Sequence, residues 1–428
     1  MISMRIEKLV YPGKSLARAE DGRVVLWDGG LPGDLCEVEI AKDHGRFLEA
    51  TLLRISEPSA ERQPSVCRYS TQCGGCQWLE APYKSQTQWK KSFVEEALQR
   101  IGKIEALPPI TFVPSKDPLF YRNRIMLRGH VGTEGDIQIG FFESQSHSLT
   151  AITQCQVARP ALNAIIAAIA TLKLPTSHKK FRCTLQELAQ EKVSILLEPI
   201  EKPYTWIEPL REALSQIACV AWVGLQGEKA PFQVFEDTAT GPMYTLPGIF
   251  QQINSKQNEK VRDLIRIDVE RKKPKTLLDL YCGSGNLSLQ FARDNIEVVG
   301  VEFNAQSIRA AQYTVKTQIL PTMQYLAQDA ARYLQMLASS HKTFDYVLVD
   351  PPRSGMKELI PSLLQSNIPY LTYVSCNPTT LARDLGQLAA KYQVDAITAY
   401  DFFPQTYHVE TVAFLSLRGK LPLVAEFL

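Results

Sequence analysis

A thiol stands where an apolar run gives way to a turn, in Leu-Thr-Tyr-Val-Ser-Cys-Asn-Pro, residues 371–378. Residues 371–374 are apolar, aromatic or β-branched and read as a buried strand. Asn377-Pro378 should stop regular structure, because proline lacks an N–H and restricts its predecessor. Cys376 is thus offered at the carboxyl edge of a strand, where ligands bind in open α/β sheets. A single cysteine is more often a small buried hydrophobe. Here, other polar residues fall at neighbouring strand ends and argue for a nucleophile. One is Glu410, at the end of Asp401-Phe-Phe-Pro-Gln-Thr-Tyr-His-Val-Glu410, where a loop passes into a strand over 411–417.

A second constellation begins at Asp279-Leu-Tyr-Cys-Gly283-Ser-Gly285-Asn286, after a strand over 276–281 and before a helix expected over 287–292. Glycines at such a turn let the backbone approach a ligand. The next strand, 297–301, ends at Glu302, 19 residues after Gly283. An acid there accepts hydrogen bonds from ribose hydroxyls, so a nucleoside-bearing cofactor follows. A dinucleotide fingerprint wants a third Gly or Ala, and Ser288 holds that place. The pattern favours S-adenosylmethionine, which has no pyrophosphate to cradle. Asp329, after a strand over 323–326, is placed to meet an adenine amino group. Asp350 ends the strand 344–349 in Asp350-Pro-Pro-Arg353. Asp-Pro-Pro-aromatic marks methylases of exocyclic amino groups, but Arg353 replaces the stacking ring.

Cys67, Cys73 and Cys76 form a third group, with Gly74 and Gly75 between the last two. Three clustered thiolates want a fourth ligand, and Cys155 is the choice. Paired knuckles would suggest zinc. Three close ligands and one distant one are more like a [4Fe–4S] arrangement with a structural role. Zinc, or no metal, stays open on spacing alone.

The elements that must position these groups divide the chain into three parts. Residues 1–60 carry strand candidates at 5–11, 23–27, 35–41 and 47–55 separated by Gly-rich turns, an OB-like β-barrel suited to RNA. Residues 61–240 hold the cysteine segment, an amphipathic helix over 83–101 with Gly102 as its C-cap, and a central α+β domain. There Tyr121-Arg122-Asn123-Arg124 and Arg128 place arginines and a ring together, a set that suits phosphates and unstacked bases or, equally, a solvated basic edge. Residues 241–428 alternate strands and helices and imply a largely parallel, Rossmann-like α/β domain. Hydrophobic content of 45% and charged content of 21% are ordinary for a globular protein, and no apolar run reaches the length of a membrane helix. No signal peptide opens the chain, and its nine cysteines are an odd count, so a cytoplasmic protein using thiols for metal or catalysis is expected. A net charge of +2 requires any basic surface to be local.

These motifs together resemble the RNA uracil-5 methyltransferases. The resemblance takes in 279–289, 350–353, 375–378, 401–410 and Phe250-Gln-Gln252-Ile-Asn254. Residues 4–60 are similar to the family's TRAM domain. It implies S-adenosylmethionine contacts at Gln252, Tyr281, Asn286, Glu302, Asp329 and Asp350, a nucleophile at Cys376 and a proton-abstracting base at Glu410. It also implies [4Fe–4S] ligands at Cys67, Cys73, Cys76 and Cys155. The barrel and cluster together point to 23S rRNA, with tRNA as the alternative, and to a monomer. An amino-group methylase using Asp350-Pro-Pro-Arg353, or an inactive RNA-binding factor, are the competing readings.

Overall fold

The computed structural model describes residues 2–104, 107–144, 146–340 and 342–419. The N-terminal part is a six-stranded sheet in which Ile2–Arg5, Leu35–Asp43, Phe47–Glu57, Val24–Trp27, Lys14–Arg18 and Lys8–Val10 follow one another. Alternate residues of these strands, among them Val25, Trp27, Cys36 and Val38, fill the barrel interior. The run expected as one strand over 5–11 is split, because the Ile6 amide donates to the Asp34 carbonyl and the Ile6 carbonyl accepts from the Gly33 amide instead of continuing the ladder. Buried Asp34 anchors that turn by accepting from the Leu31 and Ser59 amides and pairing with Arg62.

The middle sheet runs Leu149–Ala151, Ile137–Phe142, Arg124–Val131, Lys179–Glu187, Val193–Pro199 and Val220–Leu225. Helices Pro160–Ile169 and Glu208–Ser215 contribute to its core. A hairpin of Gln233–Thr238 and Gly241–Thr245 follows, so position 240/241 falls in a turn and is not an interdomain link.

The last sheet has eight strands. Met323–Ala327, Glu297–Glu302, Thr276–Leu280, Tyr346–Val349 and Tyr370–Ser375 lie parallel in that order. The central ones are buried almost throughout and mostly apolar, as strands covered on both faces are. Glu410–Leu417 then inserts antiparallel between Tyr370–Ser375 and Tyr392–Tyr400. The eighth strand, Ile110–Val113, comes from far upstream and pairs parallel with Tyr392–Tyr400. The helix Tyr83–Ala97 joins it there. Val94, Ala97 and Leu98 share a core with Leu381, Ala382 and Leu385 of the helix Pro378–Leu388.

Residues 83–113 are therefore built into the C-terminal sheet and its helices, not into the middle of a 61–240 domain. Amphipathic spacing shows that a helix has an apolar face and leaves its partner unspecified. Gly102 is not the C-cap. Lys103 takes the left-handed conformation, at φ 49°. Gly102 is small because a Cβ there would stand 2.9 Å from the Ala382 carbonyl. The helix expected over 287–292 is only the 3₁₀ turn Leu289–Phe291. Among the described residues no helix is long and apolar enough to cross a membrane.

A buried ion pair fastens this upstream helix. Lys90 Nζ lies 2.5 Å from Asp401 Oδ1, both side chains fully buried, and also donates to the Phe403 carbonyl. The Tyr83 hydroxyl donates to the other Asp401 oxygen at 2.7 Å. Lys90→Met leaves Asp401 buried without its cation and is expected to cost about 3–5 kcal/mol, read from the denaturant midpoint. The double change with Asp401→Leu should recover much of that loss.

Candidate active site

Antiparallel pairing does what sequence distance conceals. The register ends with Ser375 opposite Thr411. One step beyond that pair stand Cys376 and Glu410, 34 positions apart in the chain. Directly opposed residues have side chains roughly 5 Å apart. The nucleophile and base expected from sequence are thus brought together. Asn377 then caps the helix Pro378–Leu388, accepting from the Thr379 and Thr380 amides. Pro378 begins this helix where a stop was expected, because its missing N–H costs nothing at the first helical position. The Asn377 amide also donates to the Arg353 carbonyl at 3.1 Å, latching the 350–353 turn beside Cys376.

The electrostatics favour the protonated forms of Cys376 and Glu410 at rest. Burial pushes the Cys376 thiol up to about 12, and Glu410 and Asp350 add to the shift. Burial and Asp350 also hold the Glu410 carboxyl well above the ordinary carboxylate range. Asp350 itself is raised to about 7 by burial and by Glu302. Arg353 opposes the shift at both Cys376 and Glu410. The Arg353 guanidinium lies 3.2 Å from His408, whose imidazole is pushed down to about 3 by burial and by nearby cations, and so stays neutral.

The cofactor residues gather at the adjoining strand ends. Glu302 accepts from the Gly283 amide at 3.3 Å and the Asn304 amide at 2.8 Å, closing the glycine turn over the next strand. A Cβ on Gly283 would meet nothing within 4 Å, so the turn opens onto free space. Tyr281 sits at φ 61°, at the entrance to that turn. Asp350 continues from the neighbouring strand, its amide donating to the Leu280 carbonyl. Asp329 is exposed and accepts from the Arg332 amide, capping Ala330–Ser340. Asn286 is turned toward the helix Ser255–Lys272, where its side-chain amide and that of Asn258 bond reciprocally at 2.8 and 2.9 Å. Gln252 is half-buried, and its carbonyl accepts from Asn123. Its neighbour Gln251 braces the turn by donating to Ser284 Oγ at 2.9 Å.

Two residues carry more weight than sequence reasoning assigned: Asp279, read only as part of the S-adenosylmethionine turn motif, and Tyr11, which was missed. Asp279 is fully buried, and neither carboxylate oxygen has a hydrogen-bond partner. Burial raises it to about 7, with Asp350 and Glu302 adding and nearby Ser288 opposing. An orphaned carboxylate below a glycine turn fits a cationic or hydroxyl-bearing ligand such as S-adenosylmethionine. Its signal was present, an acid inside an apolar strand. The other is Tyr11, from the barrel. It packs edge-on against Tyr407 and is pushed to about 12 by burial, with Cys376 and Glu410 among the contributors. Nothing in a Tyr-Pro-Gly turn announces that the barrel reaches the catalytic edge.

The four cysteines line one cavity of about 110 Å³ together with Arg122. Among the described residues no group of three or more Cys, His, Asp or Glu is close enough to hold a single metal ion. Thiolates on one zinc ion, each bonded at about 2.3 Å, must crowd together. The four thiols and the Arg122 cation face the same cavity, a donor set of the kind that thiolate-bound metal groups use. Arg122 is correspondingly not a surface phosphate contact. It is half-buried and stands near Cys76 and Cys155. Tyr121 is buried, and Arg124 donates to the Ile249 and Gly248 carbonyls. Only Arg128, over the Phe142 ring, keeps the role expected of a basic edge.

Comparison with known proteins agrees with this arrangement. Residues 243–418 match the family described as tRNA (Uracil-5-)-methyltransferase, and residues 3–53 match the TRAM domain. A Thiobacillus denitrificans protein named 23S rRNA (uracil(1939)-C(5))-methyltransferase RlmD is 29% identical, over 95% of this chain and 98% of its own. An uncharacterized RNA methyltransferase of Thermosynechococcus vestitus is 28% identical over 97% and 98%. The fold is that of the Pyrococcus abyssi tRNA (uracil-54, C5)-methyltransferase solved with S-adenosyl-L-homocysteine, with a TM-score of 0.70 and 24% identity over 97% of this chain and all of that one.

Arg353 is the cation that favours ionised Cys376, and thiolate is the reactive form. Below its pKa a thiolate grows about tenfold per pH unit, so adduct formation with 5-fluorouridine RNA should rise steadily from neutral pH without levelling near 8.5. Arg353→Gln should slow that step by at least about tenfold at neutral pH and move the profile further alkaline, as rapid-quench gels would report.

Proposed function

We propose that the chain is an RNA uracil-5 methyltransferase in which Cys376 and Glu410 carry out methylation of uridine C5, with 23S rRNA as the substrate. The observation that carries this reading is the pairing of thiol and carboxyl across two antiparallel strand ends, beside the Gly283–Glu302 turn. C5 of uracil is a poor nucleophile. Addition of the Cys376 sulfur to C6 makes C5 enolate-like and able to take a methyl group. S-adenosylmethionine, when bound, supplies that methyl as an electrophile. Asp279, Tyr281, Gly283, Glu302 and Asp350 would hold it, with Gln252, Asn286 and Asp329 at the margins. Asn286 would contribute mainly through its backbone, since Asn258 occupies its side chain.

The thiol proton passes to solvent as the S–C6 bond forms, and the C5=C6 electron pair becomes the enolate. After methyl transfer C5 still bears hydrogen. Glu410, having released its own proton to solvent before this step, takes that hydrogen as a proton. The C–H electrons re-form C5=C6, sulfur leaves as thiolate, and the proton on Glu410 returns it to the thiol. Burial suits Glu410 to this task, since a carboxylate with a raised pKa is a stronger base. The uridine must leave its stack to reach so enclosed a thiol, which favours a loop or single-stranded target. The TRAM barrel, touching the catalytic turn through Tyr11 and Tyr407, supports RNA as the partner. The amino-methylase reading lacks a ring at position 353 and gives Cys376 no role. The relatives named for 23S rRNA, together with the barrel and the four cysteines, support rRNA over tRNA.

Cys376→Ala should abolish turnover and the covalent adduct with 5-fluorouridine RNA. Glu410→Gln should methylate once and then accumulate a denaturant-stable protein–RNA adduct on ordinary uridine RNA. Fast product release by that variant refutes the base assignment. Mapping 5-methyluridine in rRNA and tRNA from a deletion strain decides the substrate.

A [4Fe–4S] cluster is our reading of Cys67, Cys73, Cys76 and Cys155. Arg122, half-buried and lining the same cavity, supplies the positive charge that an anionic, thiolate-ligated cluster requires there. Anaerobically purified protein should contain iron and acid-labile sulfide in equal amounts and show broad visible absorbance, both lost in Cys155→Ser. Stoichiometric zinc without sulfide excludes the cluster.

A further inference from the structure

The turn that delivers Glu410 is shaped mostly from outside itself. Within 401–409 its own bonds include Thr406 N–H to the Phe403 carbonyl and His408 N–H to Thr406 Oγ1. Gln405 sits there at φ 70°, a left-handed conformation that a non-glycine residue adopts when its surroundings hold it. The holding groups come from elsewhere in the chain. The Gln77 and Trp78 amides both donate to the Gln405 carbonyl, at 3.0 and 3.1 Å. Gln86 makes a reciprocal pair with the same residue. Its Oε1 accepts the Gln405 backbone amide, and its Nε2 donates to Gln405 Oε1, each at 2.9 Å. The Tyr121 hydroxyl donates to the preceding Pro404 carbonyl at 3.1 Å. Gln86, Gln405 and Tyr121 are all buried, so water does not substitute for a lost bond.

We propose that Gln86 and Tyr121 are positioning residues for proton removal, holding the 401–409 turn so that Glu410 meets the C5 hydrogen after methyl transfer. The proposal rests on the reading of Glu410 as the base. Neither residue belongs to the thiol's own strand, turn or helix, which are set by the Tyr370–Ser375 ladder and the Asn377 cap. Loosening the clamp therefore separates the two halves of the reaction. Sulfur addition and methyl transfer keep their geometry, while deprotonation and release lose theirs. The grip starts at the residue after Cys76, so the cysteine segment reaches the base without approaching substrate.

The test compares Gln86→Leu, Tyr121→Phe and Glu410→Gln on ordinary uridine RNA with S-adenosylmethionine. Single-turnover methyl transfer and the steady-state amount of denaturant-stable adduct are measured side by side. The clamp predicts that the two positioning variants transfer methyl within about twofold of wild type but turn over at least about tenfold more slowly, with adduct accumulating. A purely structural defect would lower both steps together and leave no adduct. Tyr121→Phe removes one hydroxyl and carries the test where Gln86→Leu fails to fold. If Glu410→Gln accumulates adduct and Tyr121→Phe does not, the clamp is overturned and the base assignment stands. If Glu410→Gln itself accumulates none, the base assignment fails and takes the clamp with it.

Discussion

Everything in this molecule turns on the antiparallel strand Glu410–Leu417 lying between Tyr370–Ser375 and Tyr392–Tyr400. In a purely parallel sheet all carboxyl ends lie on one edge, and only residues that follow strands reach it. Reversing one strand brings an amino-terminal residue to the same edge. That reversal places Glu410 across from Cys376. It also returns the chain through the 401–409 turn, where the barrel, the cysteine segment and the upstream helix all make contact. Backbone hydrogen bonds set this meeting, and side-chain chemistry then exploits it.

Burial at that edge explains the charge state. Cys376, Glu410, Asp350 and Asp279 all have raised pKa values with desolvation as the largest cause. Acidic neighbours reinforce the effect, and Arg353 is the cation that relieves it at the two reacting groups. A site built in this way resists a standing thiolate in the absence of RNA. Such a thiolate would be open to oxidation. The same low dielectric strengthens each later interaction with a bound ring.

Polar contacts of unusual depth fasten the upstream helix to the 401–409 turn. Lys90 and Asp401 are an ion pair with no exposed surface, and Gln86 and Gln405 form a buried amide pair across more than 300 residues of sequence. Pairs of this kind stabilise little relative to a hydrophobic isostere but penalise any alternative placement. The barrel adds an apolar seam in which Leu9, Leu31, Trp78 and Phe93 pack with Tyr11 and Tyr407. The barrel and the 401–409 turn thus share one apolar seam.

Local pattern alone determined much of this. The strand before Cys376, the Gly283–Gly285 turn, Glu302 at the next strand end, the barrel's short strands and the cysteine spacing all follow from residues near one another in the chain. Backbone conformation and apolar alternation are local properties, so they can be read locally. Tertiary structure decided the rest. It assigned residues 83–113 to the C-terminal sheet, because an apolar face does not name the surface that covers it. It turned Arg122 and Arg124 inward, because a run of arginines carries charge but no direction. It consumed the Asn286 side chain in a bond to Asn258, and it brought Tyr11 to the catalytic edge. Each of these depends on contact between segments distant in sequence, which is settled only when the whole chain competes for the same buried space.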